Sequence, residues 1–203
     1  MSTMESIMRA GLKRLLVPAG LFLAAFSFNT SFAQTSYKSN VVKTTLEGTS
    51  NIHDWTMISQ KGNCAANITF AGNNVSALSG LQFSMPAESL KSEHAQMDKN
   101  TYKQLKTSQY PTISFVSNSA TVKPTGGSNF QVVSRGKLTI SGTTKDVDLV
   151  ANGTVNADKS ITFHGTYKFK MTDFNVPPVS IMLGAIKTGD GISVKYDLTL
   201  KAL

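Results

Sequence analysis

From Ile161 to Met171 the chain alternates without a break: Ile161, Phe163, Gly165, Tyr167, Phe169 and Met171 are apolar or glycine, and the residues between them are polar. A period of two sends successive side chains to opposite faces of an extended strand, so one face borders an apolar interior and the other meets water. Ile192 to Leu200 repeats the pattern, and Val75 to Met85 carries it through Val75, Ala77, Leu81, Phe83 and Met85. Ile113 and Phe115 begin a weaker run that extends to Val122, and further strands are expected over 41–46, 55–60, 67–70, 130–140 and 147–155. Glycine, asparagine and proline mark turns at 71–74, 124–127, 141–144, 156–159 and 188–191. Eight or so strands at this spacing define an antiparallel barrel or sandwich.

One segment breaks the period. Between Glu93 and Lys106, Met97, Thr101 and Leu105 fall at helical spacing, with acidic residues toward the start and lysines at the end, the charge order favoured by the helix dipole. Pro111 then disfavours helical geometry at Tyr110, and the chain returns to a strand. A short helix over about 94–106 is therefore inserted in a β domain. Outer-membrane barrels share the two-residue period with the apolar face turned to lipid. They also carry aromatic girdles, whereas this chain has one tryptophan and five tyrosines, and the helix has no natural place in such a barrel.

The N-terminus shows Arg9, Lys13 and Arg14, an apolar run over 15–26, and a polar stretch closing on Ser31-Phe32-Ala33. That order reads as a cleavable secretory signal over 1–33, and the apolar run is short for a membrane-spanning helix. Cleavage after Ala33 leaves residues 34–203 as one domain in an exported compartment, periplasmic or secreted. Loss of Arg9, Lys13, Arg14 and Glu5 lowers the formal charge from +8 to +6. The remaining lysines are scattered and Arg135 is the one arginine left, so a nucleic-acid groove is not expected. Cys64 is the single cysteine, which excludes an intramolecular disulfide. His53, His94 and His164 stand far apart, so no metal site is expected, and nothing marks a catalytic triad.

Four blocks of the chain resemble the YceI-like family: Thr49 to Trp55, Met97 to Leu105 followed by Tyr110 to Phe115, Gly136 to Lys145, and Met171 to Pro178. The resemblance implies a lipocalin-like antiparallel barrel of eight strands, exported to the periplasm, holding a polyisoprenoid or similar amphiphilic lipid, with no catalytic residues and no cofactor beyond such a lipid. The block His53-Asp54-Trp55 departs from the more apolar strand of many members.

A barrel of this size is either filled by its own side chains or holds one ligand, and the alternation alone leaves both readings open. On the ligand reading, the apolar lining comprises Phe83, Ile113, Phe115, Phe163, Gly165, Tyr167, Phe169, Ile192, Val194 and Tyr196. Gly165 in mid-strand either leaves a gap for ligand or relieves a corner. Asp98, Arg135, Lys145 and Asp173 are candidates for a head group at the mouth, Trp55 for a plug at one end, and the proline-stiffened loop 173–178 for a lid. The expected partners are an amphiphilic lipid and, transiently, a membrane, with a dimer an open alternative to a monomer. Two other readings remain: a stress-protective or structural module with a packed core, and an enzyme acting on such a lipid or a small amide.

Overall fold

The computed structural model describes residues 34–203; the expected signal segment 1–33 and its cleavage point lie outside the described residues. Eleven strands follow in chain order: β1 (Gln34–Ser39), β2 (Val42–Ser50), β3 (Trp55–Ser59), β4 (Asn63–Ala71), β5 (Asn74–Pro86), β6 (Thr112–Gly126), β7 (Asn129–Ile140), β8 (Thr143–Val155), β9 (Ile161–Lys170), β10 (Ser180–Ile181) and β11 (Ile186–Ala202). One α-helix, α1 (Ala95–Leu105), interrupts them between β5 and β6.

These strands close into a ring of eight. The pairs Gln34↔Thr69 to Ser39↔Cys64 and Thr44↔Ser59 to Gly48↔Trp55 share one register, so β1 with β2 and β3 with β4 are two long strands, each bent once. From there every strand pairs with the next in sequence through β5, β6, β7, β8 and β9 to β11, which returns to both β1 and β2. All pairings are antiparallel. The fold is thus the antiparallel eight-stranded barrel that the family resemblance implies, one of the two architectures the alternation left open, with α1 at the expected place. Closing the ring removes the exposed sheet edge that an open antiparallel sheet would leave.

Bulges account for where simple alternation fails. In β5 the register slips by one residue beyond Phe70↔Val75 and again beyond Asn67↔Ser79. Each extra residue flips the side chains that follow, so Leu78 points inward and Ala77 outward, correcting the expected alternation through Ala77. Gly80, at φ 59°, supplies the backbone for the second slip. The expected turn at 188–191 is likewise a bulge inside β11, where pairing with β2 jumps from Thr188↔Ser50 to Ile192↔Gly48. Turn-forming residues serve there to bend a strand, and Asp190 accepts bonds from the Thr172 amide (3.0 Å) and hydroxyl (2.7 Å).

The two ends of the barrel differ. At one end tight hairpins and the β1 terminus surround Tyr37, Ile68, Val75, Phe130, Ile161 and Leu200, all nearly inaccessible. The Tyr37 hydroxyl donates to the Lys159 carbonyl (3.2 Å) and ties that end shut. At the other end lie the β2–β3 loop, α1 and the long β9–β11 connection, over a second cluster centred on Met57, Met85, Leu90, Phe115 and Phe174. Pairing between β8 and β9 runs only from Val155↔Ile161 to Ala151↔Gly165, so the wall parts toward this second end.

Candidate functional site

The inward side chains midway between these clusters are apolar yet only half-buried: Leu46, Leu81, Phe83, Tyr167, Val194 and Leu198 are covered by wall and not by one another. They surround a cavity of about 470 Å³ that opens at the α1 end. That volume lies within the range of roughly 300–1,000 Å³ in which small-molecule sites fall. Of the two readings the alternation left open, the hollow interior is the one observed.

Each wall element contributes by its register. β9 sends in Phe163, Tyr167 and Phe169; β11 sends Ile192, Val194 and Tyr196 together with Leu198 and Leu200; β5 and β6 supply Phe83, Ile113 and Phe115. Tyr167 stacks on Phe169 (5.6 Å between centroids), and Phe169 meets Phe174 edge to face (5.1 Å). Phe174 and Val176 thereby seal the parted wall beside β9, so the segment expected as a lid is packed against the barrel at these two residues. Trp55 lines the cavity near the mouth, its indole lying over Gly48 and donating to the Thr49 carbonyl (3.0 Å).

Gly165 has a different role from either one expected for it. A methyl group there would overlap the phenol ring of its cross-strand partner Tyr196 and the Val150 carbonyl, and the glycine itself does not reach the cavity. The Tyr196 ring crosses β9 over this glycine, and its hydroxyl donates to the Val150 carbonyl on β8 (2.8 Å). Val150 is the first residue past the end of the β8–β9 ladder. Tyr196 thus provides a partner for a carbonyl that the parting of the wall would leave without one.

Among the described residues, no Asp, Glu, Lys or Arg lines the cavity. None of the four charged residues expected at the mouth lines the cavity, and three of them are engaged locally. Asp98, 8% exposed, accepts the Ser92 amide (2.7 Å) and hydroxyl (2.8 Å) and lies 3.8 Å from the Lys91 ammonium, which pins α1 to the segment before it. Arg135 forms a two-pronged pair with its cross-strand neighbour Asp148 (2.8 and 3.0 Å) on the outer face, and that guanidinium holds the Asp148 carboxyl below its usual range. Lys145 is exposed opposite Leu138 and takes no part in the lining. Asp173 accepts the Lys170 amide (2.9 Å) within the turn after β9.

The mouth is polar and carries no Asp, Glu, Lys or Arg. Gln96, Asn100, Thr101 and Gln104 of α1 line it with His94 at the helix N-cap, as do Ser50 of β2, His53 of the β2–β3 loop and Thr188 of β11. Sequence reading placed α1 but missed these residues; the polar positions 100 and 104, one turn apart beside Met97 and Thr101, are the signal that was there to be read. Burial pushes both the Cys64 thiol and the Tyr196 phenol up to about 12, so both are neutral at ordinary pH. Among the described residues no three His, Cys, Asp or Glu side chains come together as a metal site would require.

Comparison with known proteins gives a consistent placement. The family model described as the YceI-like domain matches residues 27–200. BcnA of Burkholderia cenocepacia superposes with a TM-score of 0.60 at 19% identity, over 79% of this chain and 96% of its own. A polyisoprenoid binding domain from Saccharophagus degradans, implicated in plant cell wall breakdown, gives 0.60 at 13% identity over 84% of this chain and 100% of its own. The YceI protein of Campylobacter jejuni gives 0.51 at 22% identity over 70% and 84%. At these identities the likeness is one of fold. Among curated proteins no match was found.

Proposed function

The chain belongs to the YceI-like family, and from that premise we propose that it is an exported binding protein that holds the apolar chain of a polyisoprenoid or similar amphiphilic lipid inside its barrel. The observation that carries this reading is the cavity of about 470 Å³, open at one end and walled by apolar side chains with no charge among them. The lipid domain from Saccharophagus degradans, which shares the fold, lends the chemical class.

The lining also narrows the ligand. A charged head group drawn into this cavity would lose its hydration and find no Lys, Arg, Asp or Glu to pair with, a transfer that proteins avoid. The bound lipid therefore has an uncharged head group, held by the side-chain amides and hydroxyl of α1 together with Ser50 and Thr188. Transfer of its chain from water gains about 0.8 kcal/mol per methylene, whereas transfer from a bilayer gains little, because the chain is already out of water there. Exchange with a membrane is then close to balanced, as a carrier requires. Tyr196 and Cys64, both held neutral by burial, supply no nucleophile or base to the interior at ordinary pH.

Competition for a fluorescent fatty probe separates the alternatives. A long-chain prenol is expected to displace the probe at least tenfold more strongly than the same chain bearing a phosphate. Equal displacement, or preference for the phosphate, would contradict the uncharged-site reading, and displacement by neither would contradict lipid binding.

A further inference from the structure

We infer that the open end of the barrel docks on a phospholipid surface through Met182, Leu183 and Ile52, an inference that rests on the lipid-binding reading above. Between β10 and β11 the chain turns through Met182 and Leu183 with left-handed backbone at both (φ 52° and 54°), followed by Gly184 at 90°. Side chains larger than glycine or asparagine are disfavoured in that region. A methionine and a leucine stand there nonetheless, 71% and 111% exposed, pointing away from the protein. Two large apolar groups in a costly backbone conformation, both largely exposed, indicate a contact made outside the chain.

The turn is held rigid by its neighbour. The Asn51 side-chain amide donates to the Ala185 carbonyl (2.9 Å), its oxygen accepts the Lys187 amide (2.9 Å), and its own backbone amide donates to the Lys187 carbonyl (3.0 Å). The next residue along, Ile52, is 58% exposed. Asn51 thus joins the two loops into one platform from which three apolar side chains project. Ile52 and Ile186 of this platform also line the cavity, so its apolar surface reaches the mouth.

The charge of the platform selects among occupants. The stretch 177–189 contains Lys187 and no carboxylate, the Lys187 ammonium lies beside Gly184 at the tip, and the carboxylate of the platform's other loop, Asp54, stands two residues beyond Ile52. Apolar side chains at a tip with a lysine at their base match the interface of a membrane carrying anionic lipid. Docked this way, the cavity mouth faces the acyl layer and a lipid chain enters without crossing water.

The test is co-sedimentation of the protein, recovered from its own cells, with vesicles of phosphatidylcholine alone or mixed with phosphatidylglycerol. Wild-type protein is expected to pellet, more on the anionic mixture. The double variant Met182→Asn with Leu183→Asn keeps the left-handed turn, which asparagine tolerates, and is expected to lose vesicle binding by about tenfold or more while its bound lipid is unchanged by mass spectrometry. Failure of wild-type protein to pellet, or equal binding by the variant, overturns the inference. A wild-type dimer that the variant converts to monomer, without vesicle binding, assigns the tip to a second copy and also overturns it. Wild-type protein that pellets through this tip yet carries no lipid would leave docking supported and the binding reading overturned.

Discussion

Tyr196 joins three strands by one side chain: it starts on β11, lies over Gly165 on β9 and donates to Val150 on β8. Its phenol pKa is raised to about 12, so the folded state binds that proton more tightly than the unfolded chain. The stabilisation this provides is complete below the ordinary tyrosine pKa near 10 and is lost as pH rises from there to about 12, with Cys64 adding a parallel loss that begins lower. Urea unfolding of wild type followed between pH 9 and 12 is expected to show falling stability, and Tyr196→Phe to show a shallower fall. Gly165→Ala is expected to cost about 1–3 kcal/mol by crowding the phenol. An unchanged urea midpoint for Gly165→Ala would show that the tyrosine is not held over the glycine. Mid-strand glycine in an alternating run was legible as a special position. What made it special was not, because its partner lies 31 residues away and is known only from the register.

At the scale of elements, what could be read from the chain was whatever local periodicity encodes. The strands β2 to β9 and β11, the helix and most turns follow from patterns of two and 3.6 residues. β1 was missed because only Tyr37 in Gln34–Ser39 is both apolar and buried. The bulges in β5 and β11 were missed because alternation fixes a face only until a residue is inserted, and the insertion shows in the partner strand. Asp98 belongs at this scale. Its carboxylate collects the Ser92 amide and hydroxyl and holds α1 across the cavity mouth. Asp98→Ala is expected to destabilise the protein by about 2–3 kcal/mol, the worth of bonds to a charged acceptor. Arg135→Ala, which breaks an exposed pair on the outer wall, is expected to cost less than about 1 kcal/mol and to leave lipid content unchanged. A reversal of that order by urea denaturation would contradict the roles assigned here.

For the molecule as a whole, the apolar lining of the cavity was legible and the polar groups at its mouth were not. Nine of the ten residues expected to line the interior do line the cavity, since inward-facing apolar positions follow directly from strand period. None of the four expected charged contacts does, because a charge in sequence does not reveal which nearby group will pair with it: Arg135 found Asp148 across a ladder and Asp98 found Ser92 six residues back. The central claim is that this uncharged cavity holds one apolar lipid per chain, and native mass spectrometry of protein recovered from its own cells tests it most directly. The account predicts a single apolar molecule bound one to one in wild type and absent from a folded Val194→Trp variant, whose indole would obstruct the middle of the barrel. Wild-type protein that is consistently empty, or a Val194→Trp variant that retains the lipid, would contradict it.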